Sequence, residues 1–193
     1  MTVPPPGRLI IVSGPSGAGK STVVRRLIEC CQLPLELSVS ATTRAPREGE
    51  TDGKEYHFLS PERFEALRQE GAFLESKEVF SLGRWYGTLH EQVATGLKMG
   101  RWVILEIDVE GAIEVMASDL DPITLFIHPG SHEELEKRLR ARGTETEQDL
   151  QARLKTAAEE MKSLAHYQYA IINDDVERAV DEICSILRQS QGT

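Results

Sequence analysis

Apolar residues run almost unbroken through Leu9–Ser13, Trp102–Ile107, Ile123–His128 and Tyr169–Ile172. Such short runs, rich in β-branched side chains, predict strands buried on both faces. Between them the spacing turns helical, over Ser21–Cys31, Gly111–Ser118, His132–Arg142 and Val176–Arg188. In the last of these, Val176, Val180, Ile183, Ile186 and Leu187 share one face, which predicts a helix packed on a sheet. Strand-then-helix alternation implies an α/β fold with a parallel sheet and crossover helices.

Two stretches break the rhythm. Residues 37–89 hold short alternating pieces, turn signals at Gly49–Gly53 and Arg84–Gly87, and one helix near Pro61–Glu70. Pro61 suits a first helical turn and Ser60 its cap. This stretch reads as a small inserted lobe. Residues 142–149 are polar, join two helices and read as a flap, the tip of a lid. The core is then expected to comprise 1–36, 90–141 and 150–193.

The strand at Leu9–Ser13 runs directly into Gly14-Pro15-Ser16-Gly17-Ala18-Gly19-Lys20-Ser21, followed by Thr22 and a helix. This fits the P-loop pattern in its required strand–turn–helix context, and the fold expected is of the P-loop NTPase type. Glycines let consecutive N–H groups turn inward toward an anion, and the following helix adds its positive end. Lys20 is positioned to reach outer phosphates and Ser21 to ligate Mg²⁺.

Arg44 and Arg47 lie three apart with Pro46 between them, in an irregular stretch that can aim both guanidiniums at one anion. Spacing alone also allows two solvated surface arginines. Tyr56 and Tyr86 can bond phosphate oxygens or serve as satisfied core tyrosines. Glu75 lies beside an apolar run, and Asp108 follows a strand end, where ligands bind in parallel sheets. Glu106 and Asp108 are two apart and share a face while the strand persists, so a metal role through water competes with a structural pair. Arg138 and Arg142 share a helix face, and Arg153 follows beyond the flap. Closure over phosphates and ordinary pairing such as Glu134–Arg138 both fit that pattern.

The formal net charge of −9 argues against a nucleic acid polymer or an anionic membrane as partner. Cys30, Cys31 and Cys184 make neither a disulfide framework nor a zinc pattern. Met1–Gly7 is Pro-rich and does not read as a signal peptide, and no apolar run approaches membrane-spanning length. A cytoplasmic location is expected. The five histidines form no ligand cluster, and there is no G-x-S-x-G.

Taken together, these motifs resemble the guanylate kinases. The matching pieces are G-P-S-G-A-G-K-S-T at 14–22, S-V-S-A-T-T-R-A-P-R at 38–47, G-x-x-Y-x-F ending at Phe58, and F-L-E at 73–75. They continue with Y-G-T at 86–88, L-E-I-D at 105–108, R-L-R-A-R-G at 138–143 and N-D-D at 173–175. The resemblance implies an enzyme that moves a phosphoryl group from ATP, with Mg²⁺, to GMP or dGMP. It implies that Arg44, Arg47, Tyr56 and Tyr86 hold the GMP phosphate, and that Ser40, Glu75, Thr88 and Asp108 read guanine. It implies further that Arg138, Arg142 and Arg153 contact transferring phosphates and that Asn173 lies near adenine. Ser81–Trp85 and Glu110 depart from the family's usual residues. Two rivals remain at this level, a noncatalytic phosphopeptide-binding module of the same fold and a kinase for another phosphorylated acceptor.

Overall fold

The computed structural model describes residues 7–79, 83–141 and 147–192. In chain order, β1 (Arg8–Ser13) leads to α1 (Lys20–Cys30), then β2 (Leu35–Leu37), β3 (Ala41–Thr42) and β4 (His57–Phe58). Next come α2 (Pro61–Gln69), β5 (Phe73–Val79), β6 (Arg84–Leu89) and α3 (His90–Lys98). They are followed by β7 (Trp102–Glu106), α4 (Val109–Met116), β8 (Ile123–His128), α5 (His132–Ala141) and α6 (Glu147–Met161). A 3₁₀ turn at Lys162–His166, β9 (Tyr169–Ile172) and α7 (Val176–Gln189) complete the set, with a last 3₁₀ turn at Ser190–Gly192.

The central sheet has the strand order β2-β7-β1-β8-β9. β1 and β8 pair in parallel, Ile10 opposite Ile123, and β8 pairs in parallel with β9, Leu125 opposite Tyr169. The predicted parallel α/β architecture is therefore present. Ile10, Ile11 and Val12 are fully buried, as a continuous apolar run in an interior strand requires. β9 differs from expectation. It is the last strand of the sheet, and Tyr169 and Ile172 are 37% and 41% exposed while Ile171 is buried. An apolar run by itself does not tell an edge strand from an interior one.

The chain divides into two compact units. One comprises Met1–Leu9, Glu36–Leu105 and Glu110–Pro122, and contains the second sheet, ordered β4-β3-β6-β5. There β3 pairs in parallel with β4 and antiparallel with β6, and β5 pairs antiparallel with β6 across an irregularity between Phe73 and Glu75. Ser60 caps α2 as predicted, its hydroxyl accepting the Arg63 N–H at 3.2 Å, with Pro61 in the first turn. Such a cap is worth about 1 kcal/mol. Phe64, the buried residue of α2, stacks on Phe73 with ring centroids 4.4 Å apart. The turn expected at Arg84–Gly87 is instead part of β6, because its residues alternate faces against β5. Ser81 and Leu82 lie outside the described residues. The helix α3 was not singled out in the sequence; Val93 and Gly96 are its buried residues.

The other unit comprises Ile10–Leu35, Glu106–Val109 and Ile123–Thr193. Val23, Val24 and Leu27 of α1 are buried, and α7 packs on α1 through an apolar face. That face is Ala179, Val180, Ile183, Cys184 and Leu187, with Val176 and Ile186 at its half-buried margins. Asp175 caps α7 by accepting the Arg178 N–H at 2.9 Å. Helices α5 and α6 carry a cluster of their own, Leu135, Leu139, Leu150, Leu154 and Ala157. Arg140 clasps Glu147 with bonds of 2.8 and 3.1 Å and holds that carboxyl at about 2. Of the stretch expected to form a flap, residues 142–146 lie outside the described residues and 147–149 open α6.

Candidate functional site

In the second of these units the glycine-rich segment curls between β1 and α1. The loop is closed by the Ala18 N–H donating to the Pro15 carbonyl at 3.1 Å, and the Thr22 N–H to that of Gly19 at 3.1 Å. Gly14 has φ +135°, and a Cβ there would lie 2.0 Å from the Ile127 carbonyl oxygen of β8. No other residue fits that position without moving a backbone. Lys20 Nζ donates to the carbonyls of Gly14 at 2.6 Å and Pro15 at 3.1 Å, which folds the ammonium across the loop. Ser16, Gly17, Gly19, Lys20, Ser21, Thr22 and Glu106 line a cavity of about 220 Å³.

Other elements close on this loop. Ser21 Oγ donates to Glu106 Oε1 at 2.5 Å, which ties the first turn of α1 to the end of β7. Arg153 of α6 donates to Ser16 Oγ at 2.6 Å, and the Ser16 N–H donates to Glu160 of the same helix at 3.4 Å. Asn173 is buried and donates to the Ala18 carbonyl at 2.7 Å. Arg138 behaves differently, for its Nε donates to Glu134 Oε1 at 2.9 Å, the i,i+4 pairing the sequence also allowed. Arg142 lies outside the described residues. Asp108 follows β7 and is half-buried. Among the described residues no group of three or more His, Cys, Asp or Glu is placed to hold a metal ion.

In the first unit the Arg44 side chain is only 8% exposed. Thr42 Oγ1 donates to the Trp85 carbonyl at 2.9 Å and accepts the Arg44 N–H at 3.1 Å, which sets the backbone from which the side chain departs. Arg44 Nη1 and Nη2 each donate to one oxygen of Glu50 at 2.9 Å, and Nη1 also donates to the Ala45 carbonyl at 2.8 Å. The guanidinium lies 5.3 Å from the centre of the Tyr56 ring and 5.7 Å from that of Phe58. Tyr86 packs edge-on against Tyr56 at 5.7 Å. Glu50 first, and Tyr86 to a lesser extent, favour the charged guanidinium against the cost of burying it. Arg47 is solvent-exposed, and its N–H donates to Glu50 at 2.7 Å. The two arginines thus differ, one buried in a bidentate pair and the other open to solvent.

Glu50 was not singled out by the sequence, although its three-residue offset from Arg47 continues the spacing of the arginines. Arg44, then the Arg47 N–H, hold its carboxyl below the usual glutamate range. A depressed folded pKa means the pair stabilises fully above the unfolded carboxyl's pKa, and that contribution is lost as pH falls through the folded value.

Nearby on β5, Glu75 is 7% exposed and accepts the Thr88 hydroxyl of β6 at 2.6 Å. A hydroxyl carries one proton, so while this bond stands Thr88 orients Glu75 rather than donating to a ligand. Gly111 lies against the same carboxylate, and a Cβ there would approach Oε2 to 3.0 Å. Ser40, half-buried, precedes β3 and accepts the His57 N–H on its carbonyl at 2.9 Å. Arg44, Tyr56 and Tyr86 thus form one cluster of this unit, and Glu75 and Thr88 another contact.

Comparison with known proteins bears on this arrangement. The family model described as Guanylate kinase matches residues 6–190. A guanylate kinase of Rhodopirellula baltica is 61% identical over 189 residues, covering 97% of this chain and 90% of the relative. One of Caldanaerobacter subterraneus subsp. tengcongensis is 46% identical over 187 residues, 97% of this chain and 89% of the relative. The crystal structure of guanylate kinase from Anaplasma phagocytophilum superposes with a TM-score of 0.76 at 36% identity, over 97% of this chain and 88% of that one. A glycine loop with its lysine in place, a buried arginine fork and a similarity spanning nearly the whole sequence all agree: the chain belongs to the guanylate kinase family.

Proposed function

We propose that the protein transfers the γ-phosphoryl group of ATP to GMP or dGMP, giving ADP and the nucleoside diphosphate. The observation that carries this reading is the pairing, in one chain, of an amide-lined loop bearing Lys20 with a buried, preformed Arg44 fork. Both are anion sites, and each suits a phosphate.

Residues 14–22 hold the triphosphate of ATP. Ser21 Oγ and the Glu106 carboxylate, 2.5 Å apart at the rim of the loop cavity, are hard oxygen donors that fit Mg²⁺. Asp108 is a further candidate through water. When bound, the ion neutralises charge on the β- and γ-oxygens. Lys20 brings its ammonium to the outer phosphates, and Arg138, Arg142 and Arg153 add positive charge around the transferring group. Arg44, Arg47, Tyr56 and Tyr86 grip the GMP phosphate. Ser40, Glu75 and Asp108 read guanine, the carboxylates accepting from its N1–H and N2–H₂ donors, with Thr88 acting through the Glu75 carboxylate it bonds.

The attacking group is an oxygen of the GMP phosphate, whose second pKa is about 6, so it is already anionic at neutral pH and needs no protein base. Its oxygen forms a bond to the γ-phosphorus as the bond from that phosphorus to the β,γ-bridging oxygen breaks, and ADP leaves. Catalysis then consists of alignment and charge stabilisation. The reaction belongs where both nucleotides are plentiful, in the cytoplasm. No helix among the described residues is long and apolar enough to cross a membrane.

The test is ADP release from ATP with GMP, dGMP, AMP or UMP as acceptor. Turnover confined to GMP and dGMP supports the reading. Turnover with AMP or UMP instead identifies a different acceptor, and no turnover with any of them leaves a binding module.

Glu50 serves this reaction through Arg44. Glu50→Gln should raise KM for GMP about tenfold, because a neutral amide holds the fork less firmly, with kcat near wild type. Steady-state GMP titrations measure this. The difference in urea midpoint between variant and wild type should shrink as pH falls through the depressed Glu50 value. A KM unchanged by the substitution would mean that the fork is held without Glu50.

A further inference from the structure

Asn173 stands where β9 gives way to the turn before α7, and it is 3% exposed. Its backbone N–H donates to the His128 carbonyl of β8 at 2.8 Å. Its side-chain Nδ2 donates to the carbonyl of Ala18, inside the phosphate loop, at 2.7 Å. The amide nitrogen must face that carbonyl, since an oxygen there could not bond it. Ala18 is fully buried, so solvent does not replace this partner. The next residue fits around the same group. Gly19 has φ +85°, and a Cβ on it would fall 2.5 Å from Asn173 Nδ2.

A trans peptide is planar, with its C=O and N–H pointing in opposite directions. The Ala18 carbonyl and the Gly19 N–H belong to one such plane. Fixing the carbonyl on Asn173 therefore sends the Gly19 N–H the other way. Gly19 also lines the loop cavity. We propose that Asn173 is a positioning residue of the phosphate loop: by holding the Ala18 carbonyl it aims the Gly19 N–H at the polyphosphate of the nucleotide. It acts on the loop rather than on the adenine ring. The inference rests on the reading of this loop as the ATP site.

Binding of ATP, inorganic triphosphate, adenosine and GMP to the intact protein, with Mg²⁺ in the buffer, tests this by calorimetry. Wild type is compared with Asn173→Ala and Asn173→Asp. The expected result is a loss of about tenfold in affinity for ATP and for triphosphate alike, the worth of one well-made hydrogen bond. Adenosine and GMP affinities should stay within twofold, which also shows that the variants fold. If ATP weakens and triphosphate does not, Asn173 contacts the base and the proposal is wrong. Unchanged affinity for both, or a parallel loss of GMP binding in both variants, overturns it equally. A wild-type protein that bound neither ATP nor triphosphate would instead remove the reading of the loop itself.

Discussion

Lys20→Met lowers kcat about 10²- to 10³-fold while the protein stays folded; that is the expected result of removing the cation rooted in the phosphate loop. Methionine matches the lysine stem in length and packs equally well along it. What disappears is the ammonium, which donates to Gly14 and Pro15 at 2.6 and 3.1 Å. Those carbonyls are a resting place, and the charge is needed where negative charge spreads over the equatorial oxygens of the transferring group. Since the interaction strengthens as the transition state forms, the loss falls on kcat more than on the KM for ATP. Coupled ADP release gives kcat, and circular dichroism melting reports the fold. Turnover at the wild-type rate in a folded variant would mean that the loop does not hold the reacting phosphates.

Glu75→Gln should lower kcat/KM for GMP about 10²- to 10³-fold and leave that for AMP nearly unchanged, which erodes discrimination between the purines. The side chain is 7% exposed, so water does little to repair a mismatch. Thr88 fixes one oxygen from a bond of 2.6 Å, and Gly111 leaves just enough room for the other. A glutamine can keep the Thr88 bond through its carbonyl. It then presents an NH₂ group where guanine also presents donors, and two donors facing each other in a dry site are left unbonded. Parallel kcat/KM measurements with GMP and AMP decide the matter. A GMP:AMP ratio equal to wild type would contradict the role given to Glu75.

The phosphate loop was legible from sequence because its function is local. Strand, glycines, lysine and hydroxyl are consecutive, and their spacing already contains the physics. The three interior runs and the cap at Ser60 are equally local signals. What the sequence hid was pairing at a distance. Arg44 and Arg47 look alike in the chain, and only folding buries the first against Glu50, Tyr56 and Phe58. Arg138 had two readings, and its bond to Glu134 is the nearer partner. Asn173 and Ala18 are 155 residues apart, and nothing in either neighbourhood announces their bond. The exposure of β9 likewise depends on which strand lies beside it, which an apolar run does not encode.

The Arg44–Glu50 clasp has a consequence for how the acceptor arrives. With both terminal guanidinium nitrogens of Arg44 already matched to a carboxylate, it is the solvent-exposed Arg47 that presents positive charge to an approaching dianion. The chain as a whole carries −9, which discourages anions at long range. Capture therefore depends on fit at contact distance rather than on attraction across solvent, so added salt, which screens that repulsion, should not slow the encounter.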